Sequence, residues 1–251
     1  MRTSVHDVCG CFPTGRHYPG IAAEIARDVT EVKGLSRALA ADARWLEAPF
    51  AVIDFETTGL SAERDRVLEV GVVTFRGGER TDLKNWLVNP TIPVPEEARA
   101  VHNISDDDLK GAPTFPEIVA ELSQMLEGHL PVAYNAAFDR GFLQAELVRA
   151  GIDLKASELP PAFDPEVSWI DPLVWSRELD KDQRSHKLGD VCERLGVSLD
   201  NAHRAASDAE ATGRVLLALG ARMPESYGEL IRIQAGYAAR QDVDMGWRRR
   251  G

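Results

Sequence analysis

The chain has 251 residues, of which 44% are hydrophobic and 27% are charged. This composition is that of an ordinary globular protein, and it excludes a disordered, collagen-like or disulfide-stapled chain. The formal net charge of −11 argues against a protein that holds nucleic acid through a broad basic surface. Carboxylates that gather around divalent cations would also lower this charge, and bound cations reverse the local sign. Net charge therefore leaves nucleic-acid binding open.

The sequence indicates a cytoplasmic protein with no membrane partner. No stretch approaches the ~20 continuous apolar residues that cross a bilayer, and no apolar signal core follows Arg2. Cys9, Cys11 and Cys192 are the only cysteines, too few for a disulfide framework, which fits a reducing compartment.

The first 47 residues are predicted to form a leader followed by a helix. Residues 1–19 combine glycine and proline with little periodicity, which indicates irregular chain. Over residues 20–45, apolar side chains recur at steps of three, four or seven, which predicts one amphipathic helix. Its apolar positions are Ile21, Ile25, Val29, Val32, Leu35, Leu39 and Leu46. An exposed apolar stripe would invite association, so we expect it to pack on the following domain rather than on another subunit.

Three consecutive strands follow. Residues 49–55 form a short run of strand-forming residues that ends at a carboxylate. Residues 67–75 and 83–88 are two more such runs, and Gly77 and Gly78 supply a turn between them. The three strands are predicted to be antiparallel.

The second half alternates between strands and helices. Short strands are predicted at residues 131–134 and 167–170, and helices at residues 115–127, 137–150, 172–180, 187–195 and 205–220. This order predicts an α/β fold, in which a mixed sheet of three antiparallel strands plus parallel strands is flanked by helices. Residues 221–251 are predicted to form a helical extension with a basic tail, beyond a main domain over residues 48–220.

Asp54 and Glu56 are the first candidate functional pair. They lie two residues apart at the end of a strand, so their side chains leave the same face and can converge on one cation. They could instead be exposed surface acids. However, Asp54 directly follows Ala-Val-Ile, where an unpaired charge is costly, and this favours a metal site.

Two further pairs are weak when taken alone. Asn135 and Asp139 lie four residues apart where a strand leads into a helix, but Asn135 could simply cap that helix. His203 and Asp208 precede and open an alanine-rich helix. The same spacing recurs at His102 and Asp107, in a loop of solvated acids, so spacing has meaning only in context.

The order of these three elements is specific. The chain reads strand-D-x-E-T-T-G-L, then strand-N-x3-D-helix, then loop-H-x4-D-helix. In this it resembles the DnaQ-like exonucleases of the DEDDh type, which include the proofreading epsilon subunit of bacterial DNA polymerase III and ribonuclease T. The resemblance covers about residues 48–220 and implies a ribonuclease H-like fold.

The resemblance implies a role for each matching residue. Asp54, Glu56, Asp139 and Asp208 would be metal ligands, and His203 the general base. The terminal nucleotide would contact Thr57, Thr58, Gly59, Leu60, His102, Asn135 and Phe138, with Leu60 against its base.

One departure from the family pattern is visible at residues 101–104, which read Val-His-Asn-Ile where His-Gly-Ile is usual. Asparagine tolerates left-handed backbone angles, so the loop shape is expected to survive. Glu69 and His186 are interpreted as structural, with Glu69 as a buried acid whose hydrogen bonds are satisfied.

The implied activity is hydrolysis of phosphodiesters from 3′ ends, releasing nucleoside 5′-monophosphates. All-oxygen ligands favour two Mg²⁺ or Mn²⁺ ions over Zn²⁺. An ordinary histidine has a pKa near 6.5, so His203 can accept a proton near neutral pH. The expected substrate is a single-stranded or frayed 3′ end, with DNA favoured over RNA.

Several alternatives stay open at this point. An RNA-trimming enzyme of the same family would carry the same motif, and a non-catalytic module could bind nucleic acid or a polymerase. The chain could act as a polymerase subunit, alone, or as a homo-oligomer. No polymerase-binding or clamp-binding motif is evident after residue 220.

Overall fold

The computed structural model describes residues 32–156, 158–199 and 202–248, with side chains as far as residue 243. The predicted irregular leader over residues 1–19, and the predicted helix up to residue 31, lie outside the described residues.

A four-stranded mixed sheet forms the centre of the fold. Its strands are β1 (Phe50–Thr57), β2 (Val67–Arg76), β3 (Glu79–Leu87) and β4 (Leu130–Val132). They lie in the order β3-β2-β1-β4. β2 pairs antiparallel with both β1 and β3, whereas β4 pairs parallel with β1. The predicted α/β architecture is therefore confirmed.

Seven α-helices are present in the described part of the chain. They are α1 (Glu96–His102), α2 (Phe115–Leu126), α3 (Ala136–Arg149), α4 (Pro172–Leu179), α5 (Leu188–Leu195), α6 (Ala205–Gly220) and α7 (Tyr227–Arg248). The five predicted helices match α2 to α6, each within one residue at either end. None of the described helices has the length and apolar character needed to cross a membrane.

The central strands β1 and β2 are buried on both faces of the sheet, and β1 shows why. Successive residues of a strand point to opposite faces. Phe50 and Val52 pack into one core with Val215 of α6. Ala51 and Ile53 pack into the other core, which includes side chains of α2 and α3. Because neither face is free, the run Phe50–Ile53 is continuously apolar, and the pattern becomes polar only where the strand leaves the core.

The predicted strand at residues 167–170 is not formed as a strand. Ile170 makes a single parallel bridge with Val132 of β4, and the Ser168 N–H donates instead to the carbonyl oxygen of Gly34. Pro172 has no backbone N–H to extend the ladder. The chain therefore leaves the sheet edge after one bridge.

The predicted helix over residues 20–45 is wrong in its described part. Residues 32–44 form turns and one isolated bridge, and a short 3₁₀ helix, Trp45–Glu47, follows. Gly34 has a φ of +87°, which is incompatible with an α-helix. Within the described residues, Val32, Leu35, Leu39 and Leu46 are partly buried one by one from irregular chain, turns and the short 3₁₀ helix, so their spacing imitates a helical stripe.

Burial of this stripe on its own domain is confirmed for Val32, Leu35, Leu39 and Leu46, which pack against the core that contains α6 and the start of α7. Trp45 is fully buried, and its indole N–H donates to the carbonyl oxygen of Pro224 at 2.7 Å. The Ser36 N–H donates to the Tyr227 hydroxyl at 3.0 Å. Residues 32–48, which precede β1, are therefore part of the main core.

Trp45→Ala should lower the free energy of unfolding by about 3–5 kcal/mol, because it leaves a large cavity in a dry core. Tyr227→Phe should cost less, about 1–3 kcal/mol, because it only leaves the buried Ser36 N–H without its acceptor. Urea denaturation followed by circular dichroism measures both. Equal stability of wild type and Trp45→Ala would show that this segment does not hold the fold together.

Candidate active site

The end of β1 carries two carboxylates on one face. Asp54 and Glu56 follow Val52 at steps of two, so they point toward the α6 side of the sheet. In the antiparallel register, Asp54 lies opposite Gly71 and Glu56 lies opposite Glu69 of β2. Both carboxylates are partly exposed at the point where the strand emerges from the core.

Gly71 allows α6 to approach this face. A Cβ atom on Gly71 would lie 2.2 Å from the carbonyl carbon of Ala205, at the first turn of α6. Only glycine permits this close contact between strand and helix. Asp208 lies in that first turn and is thereby brought beside Asp54 and Glu56.

Asp139 reaches the same place from α3. It is 3% exposed, and its Oδ1 accepts the backbone N–H of Phe55 at 3.1 Å, between the two carboxylates of β1. Asn135 begins the helix with a left-handed φ of +66°, and its side chain makes no capping hydrogen bond. The possibility that the Asn135 side chain caps α3 is thus not realised.

Asp171 provides that cap, and sequence reasoning missed it. Its carboxylate accepts the backbone N–H groups of Asn135 and Ala136 at 3.0 and 2.9 Å, and that of Leu173 at 2.9 Å. It therefore caps the starts of α3 and α4 together. The Asp-Pro pair could have indicated the cap of α4, but the bonds to α3 span more than thirty residues.

Gln234 of α7 holds Asp171 in place. Its Oε1 accepts the Asp171 N–H at 2.9 Å and the Trp175 indole N–H at 3.0 Å, and its Nε2 donates to the Trp169 carbonyl oxygen at 2.8 Å. The C-terminal helix is in this way hydrogen-bonded to the residue that positions α3 and its Asp139.

The four carboxylates repel one another. Burial raises the pKa of Asp54 well above its ordinary value, and the charges of Asp139, Asp208 and Glu56 raise this pKa further. Burial, followed by the charges of Asp208 and Glu69, raises the pKa of Glu56 to about 8. The pKa of Asp139 and that of Asp208 are also raised, in both cases chiefly by burial. A site that gathers like charges at this cost is suited to cations.

His203 completes the cluster. It is exposed, and its backbone has a left-handed φ of +66°. Its backbone N–H donates to Oδ2 of Asp208 at 3.1 Å. Ligand atoms of Glu56, His203 and Asp208 lie within 4.8 Å of one another, a spacing that fits a metal ion or a water between them. The structure therefore brings together all five residues that the motif singled out.

The residues expected to contact a nucleotide lie around this cluster. Thr57 and Thr58 are buried, and the Thr57 hydroxyl donates to the Gly59 carbonyl oxygen at 2.6 Å, which shapes the loop after β1. Leu60 projects from this loop and is 88% exposed. Phe138 lies on the first turn of α3, and its ring contacts that of Phe142 at 4.8 Å between centroids.

His102 ends α1 beside His203. The two histidines line one cavity of about 430 Å³. His102 is buried, which lowers its pKa, and its Nδ1 accepts the Ile104 N–H at 3.0 Å. Asn103, which lies between His102 and Ile104, has a left-handed φ of +57°, the conformation that asparagine was expected to tolerate here.

Glu69 and His186 both have the hydrogen bonds of structural residues. Glu69 is fully buried and accepts hydrogen bonds from Asn85, Arg204 and Ala205, as the sequence analysis predicted. The His186 ring is hydrogen-bonded to the Ser176 hydroxyl at 2.9 Å, and its carbonyl oxygen accepts the Tyr134 hydroxyl.

Asp54→Asn should raise the melting temperature of the metal-free protein, because it removes one of four mutually repelling charges. Each unit of raised pKa corresponds to about 1.4 kcal/mol of lost stability. The folded metal-free state binds more protons than the unfolded state, so wild-type stability falls as pH rises between about 4.5 and 8, the ordinary and raised pKa of Glu56. The rise in melting temperature of Asp54→Asn over wild type should therefore be large at pH 8 and small near pH 4.

Thermal melts in excess chelator at the two pH values measure this effect. Asp107→Asn, at an exposed acid that pairs with Lys110, is the matched control and should melt like wild type at both pH values. A lower melting temperature for Asp54→Asn than for wild type at pH 8 would contradict the repulsion.

Comparison with known proteins places this site in a family. A family model described as an exonuclease matches residues 51–216. The PolC-type DNA polymerase III of Clostridium perfringens is 33% identical over 167 residues, which cover 66% of this chain and 11% of that protein. The chain thus spans only about a tenth of the length of this relative.

Solved structures show the same fold. Exonuclease X in complex with 5′ overhanging duplex DNA has a TM-score of 0.57 at 20% identity, over 74% of this chain and 99% of that one. The nuclease domain of 3′hExo, a DEDDh family member bound to rAMP, has a TM-score of 0.59 at 19% identity, over 73% and 97%. With an exonuclease family match that covers about two thirds of its length, and with its DEDDh residues gathered at one site, the chain belongs to the DnaQ-like, DEDDh-type exonuclease family.

Proposed function

We propose that this enzyme is a metal-dependent 3′→5′ exonuclease that releases nucleoside 5′-monophosphates, with DNA preferred over RNA. The observation that carries the proposal is the convergence of Asp54, Glu56, Asp139 and Asp208 beside His203, despite the repulsion that raises their pKa values. Such repulsion is tolerated where cations neutralise it.

The four carboxylates are the proposed metal ligands. Their all-oxygen character suits Mg²⁺ or Mn²⁺, and four carboxylates can hold two such ions. When bound, the two ions would supply positive charge on both sides of the phosphorus, for the attacking water and for the departing 3′ oxygen. Asp139 and Asp208 each lie in the first turn of a helix, whose N-terminal dipole favours their charged form.

His203 is the proposed general base. Its ring is exposed beside Glu56 and Asp208, where it can accept a proton from the attacking water and release it to solvent. Its backbone N–H holds Asp208, so the base and a ligand share one anchor.

The loop after β1 and the start of α3 form the proposed nucleotide site. Leu60 is an exposed apolar side chain on the loop that follows Glu56, and Phe138 directly precedes Asp139 in α3. Both would contact the terminal base, which must leave its stack to reach them. Thr57, Thr58 and Gly59 would border the sugar, with His102 and Asn135 lining the same cleft.

The preference for DNA rests on the relatives. The polymerase of C. perfringens acts in DNA synthesis by its name, and Exonuclease X is bound to DNA. We propose a cytoplasmic role at DNA 3′ ends, in proofreading or repair, alone, as a homo-oligomer or beside a polymerase. The rAMP bound to 3′hExo supports an RNA-trimming enzyme as the second candidate. A non-catalytic module is disfavoured, because binding alone would not require four repelling carboxylates.

Hydrolysis of a 3′-labelled single strand should require Mg²⁺ or Mn²⁺, and His203→Ala should lose about 10²–10⁴-fold in turnover while still binding DNA. His129→Ala is the matched control. His129 precedes Leu130, which pairs with Phe50 at the opposite end of β1, so its loss should leave turnover unchanged. Full activity in excess chelator, or of His203→Ala at pH 7, would refute this mechanism.

Single-stranded DNA 3′ ends should be degraded faster than blunt duplex ends, and a terminal mismatch should narrow the difference. Leu60→Ala should raise KM by about 5- to 150-fold, the range that corresponds to a lost contact with the base of about 1–3 kcal/mol. Initial rates on matched single-stranded, duplex, mismatched and RNA substrates measure the preferences. Equal rates on paired and mismatched ends contradict the nucleotide site, and faster cleavage of RNA favours the second candidate.

A further inference from the structure

Glu69 is a buried carboxylate directly beside the site. It is fully buried on β2, opposite Glu56 in the antiparallel register, and therefore on the same face. A fifth charge so close to four others could act as another metal ligand. Its oxygens are already occupied, however, by donors from Asn85, Arg204 and Ala205.

These donors connect Glu69 to the start of α6. Arg204 precedes the helix and makes no capping bond with its own side chain. The Ala205 N–H donates to Oε2 of Glu69 at 3.1 Å, so the cap comes from the neighbouring strand. The Arg204 guanidinium grips the same carboxylate, with Nη2 to Oε1 at 2.6 Å and Nε to Oε1 at 3.0 Å.

Arg204, which is hydrogen-bonded to Glu69, directly follows His203 in the chain. The left-handed backbone of His203 is unfavourable for a side chain with a Cβ, so surrounding contacts must hold it. On one side the His203 N–H is bonded to Asp208, and on the other side Arg204 is tied to the sheet. The direction of the His203 ring depends on both anchors.

We propose that Glu69 and Arg204 are positioning residues, which aim His203 and Asp208 at the reacting phosphate by fixing the start of α6 against β2. The proposal rests on the proposed role of His203 as base. Gly71, two residues beyond Glu69, allows the close approach, and the Glu69–Arg204 ion pair sets its direction. In this proposal Glu69 and Arg204 act through His203 and Asp208 and are not themselves ligands of the phosphate, although Arg204 lines the same cavity as His203.

The test uses Glu69→Gln, Arg204→Met and the double variant, assayed on single-stranded DNA at saturating Mg²⁺. Each single variant should lower kcat by roughly 10–100-fold, the effect expected of a catalytic group displaced by about 1 Å. KM should change by less than about threefold. The fall in kcat for the double variant should be no greater than that of the more impaired single variant, because both residues act through one contact.

Arg80→Met is the matched control. The Arg80–Glu210 pair also joins the sheet to α6, and the arginine side chain is 45% exposed, compared with 50% for Arg204. This pair contacts α6 at Glu210, after the first turn of the helix, so the kcat of Arg80→Met should stay at the wild-type value. If Glu69→Gln or Arg204→Met does not fold, Arg204→Lys replaces it. This variant keeps the positive charge beside Glu69 but loses the paired hydrogen bonds that the guanidinium donates, so its kcat should still be lower than that of wild type.

Three outcomes are decisive. If the Glu69 and Arg204 variants melt at a lower temperature but keep the wild-type kcat per folded molecule, the pair is merely structural and the proposal is overturned. A raised KM with unchanged kcat would make Arg204 a phosphate ligand and also overturn it. Failure of the proposed function is distinguishable, because wild type would then lack metal-dependent cleavage or His203→Ala would remain active.

Discussion

Mutual repulsion among Asp54, Glu56, Asp139 and Asp208 is the constraint around which this fold is arranged. Left to themselves, four carboxylates would separate into solvent. Each is instead carried to the end of β1 by the backbone of the strand or helix on which it lies. Gly71 admits the first turn of α6, and the Phe55 N–H holds Asp139. The rigidity of the surrounding core is what keeps the charges together.

The same constraint explains where the backbone departs from regular geometry. Among the described residues, four non-glycine residues have a positive φ, and three of them, Asn103, Asn135 and His203, lie at the turns that lead into the site. Such angles persist only where the surroundings fix them. Asp171 fixes the turn at Asn135, and Glu69 with Arg204 fixes the turn after His203. The positive-φ turns and the repelling carboxylates therefore lie in the same region at the end of β1. The hydrogen bonds of Asp171 and Glu69 stabilise that region.

Much of this architecture could be predicted from the sequence, and the reasons are local. The bounds of helices α2 to α6 could be predicted to within one residue, and β1 begins as an apolar run that leads to Asp54. The site motif was recognisable because its residues stand at the ends of these elements. The helix predicted over residues 20–45 failed in its described part because Leu35 and Leu39 are buried from turns, which spacing cannot distinguish from a helix. The supporting contacts of Asp171, Gln234 and Glu69 were beyond prediction, because they join positions far apart in the chain.

The proposed role of the repelling carboxylates is to bind two divalent cations. Counting bound Mn²⁺ tests it most directly, from the loss of the free-ion electron paramagnetic resonance signal during titration, in the presence of a nucleoside 5′-monophosphate. Two Mn²⁺ ions should bind to each wild-type chain, and fewer to Asp208→Asn with its fold unchanged. A wild-type chain that leaves the free Mn²⁺ signal undiminished would contradict it.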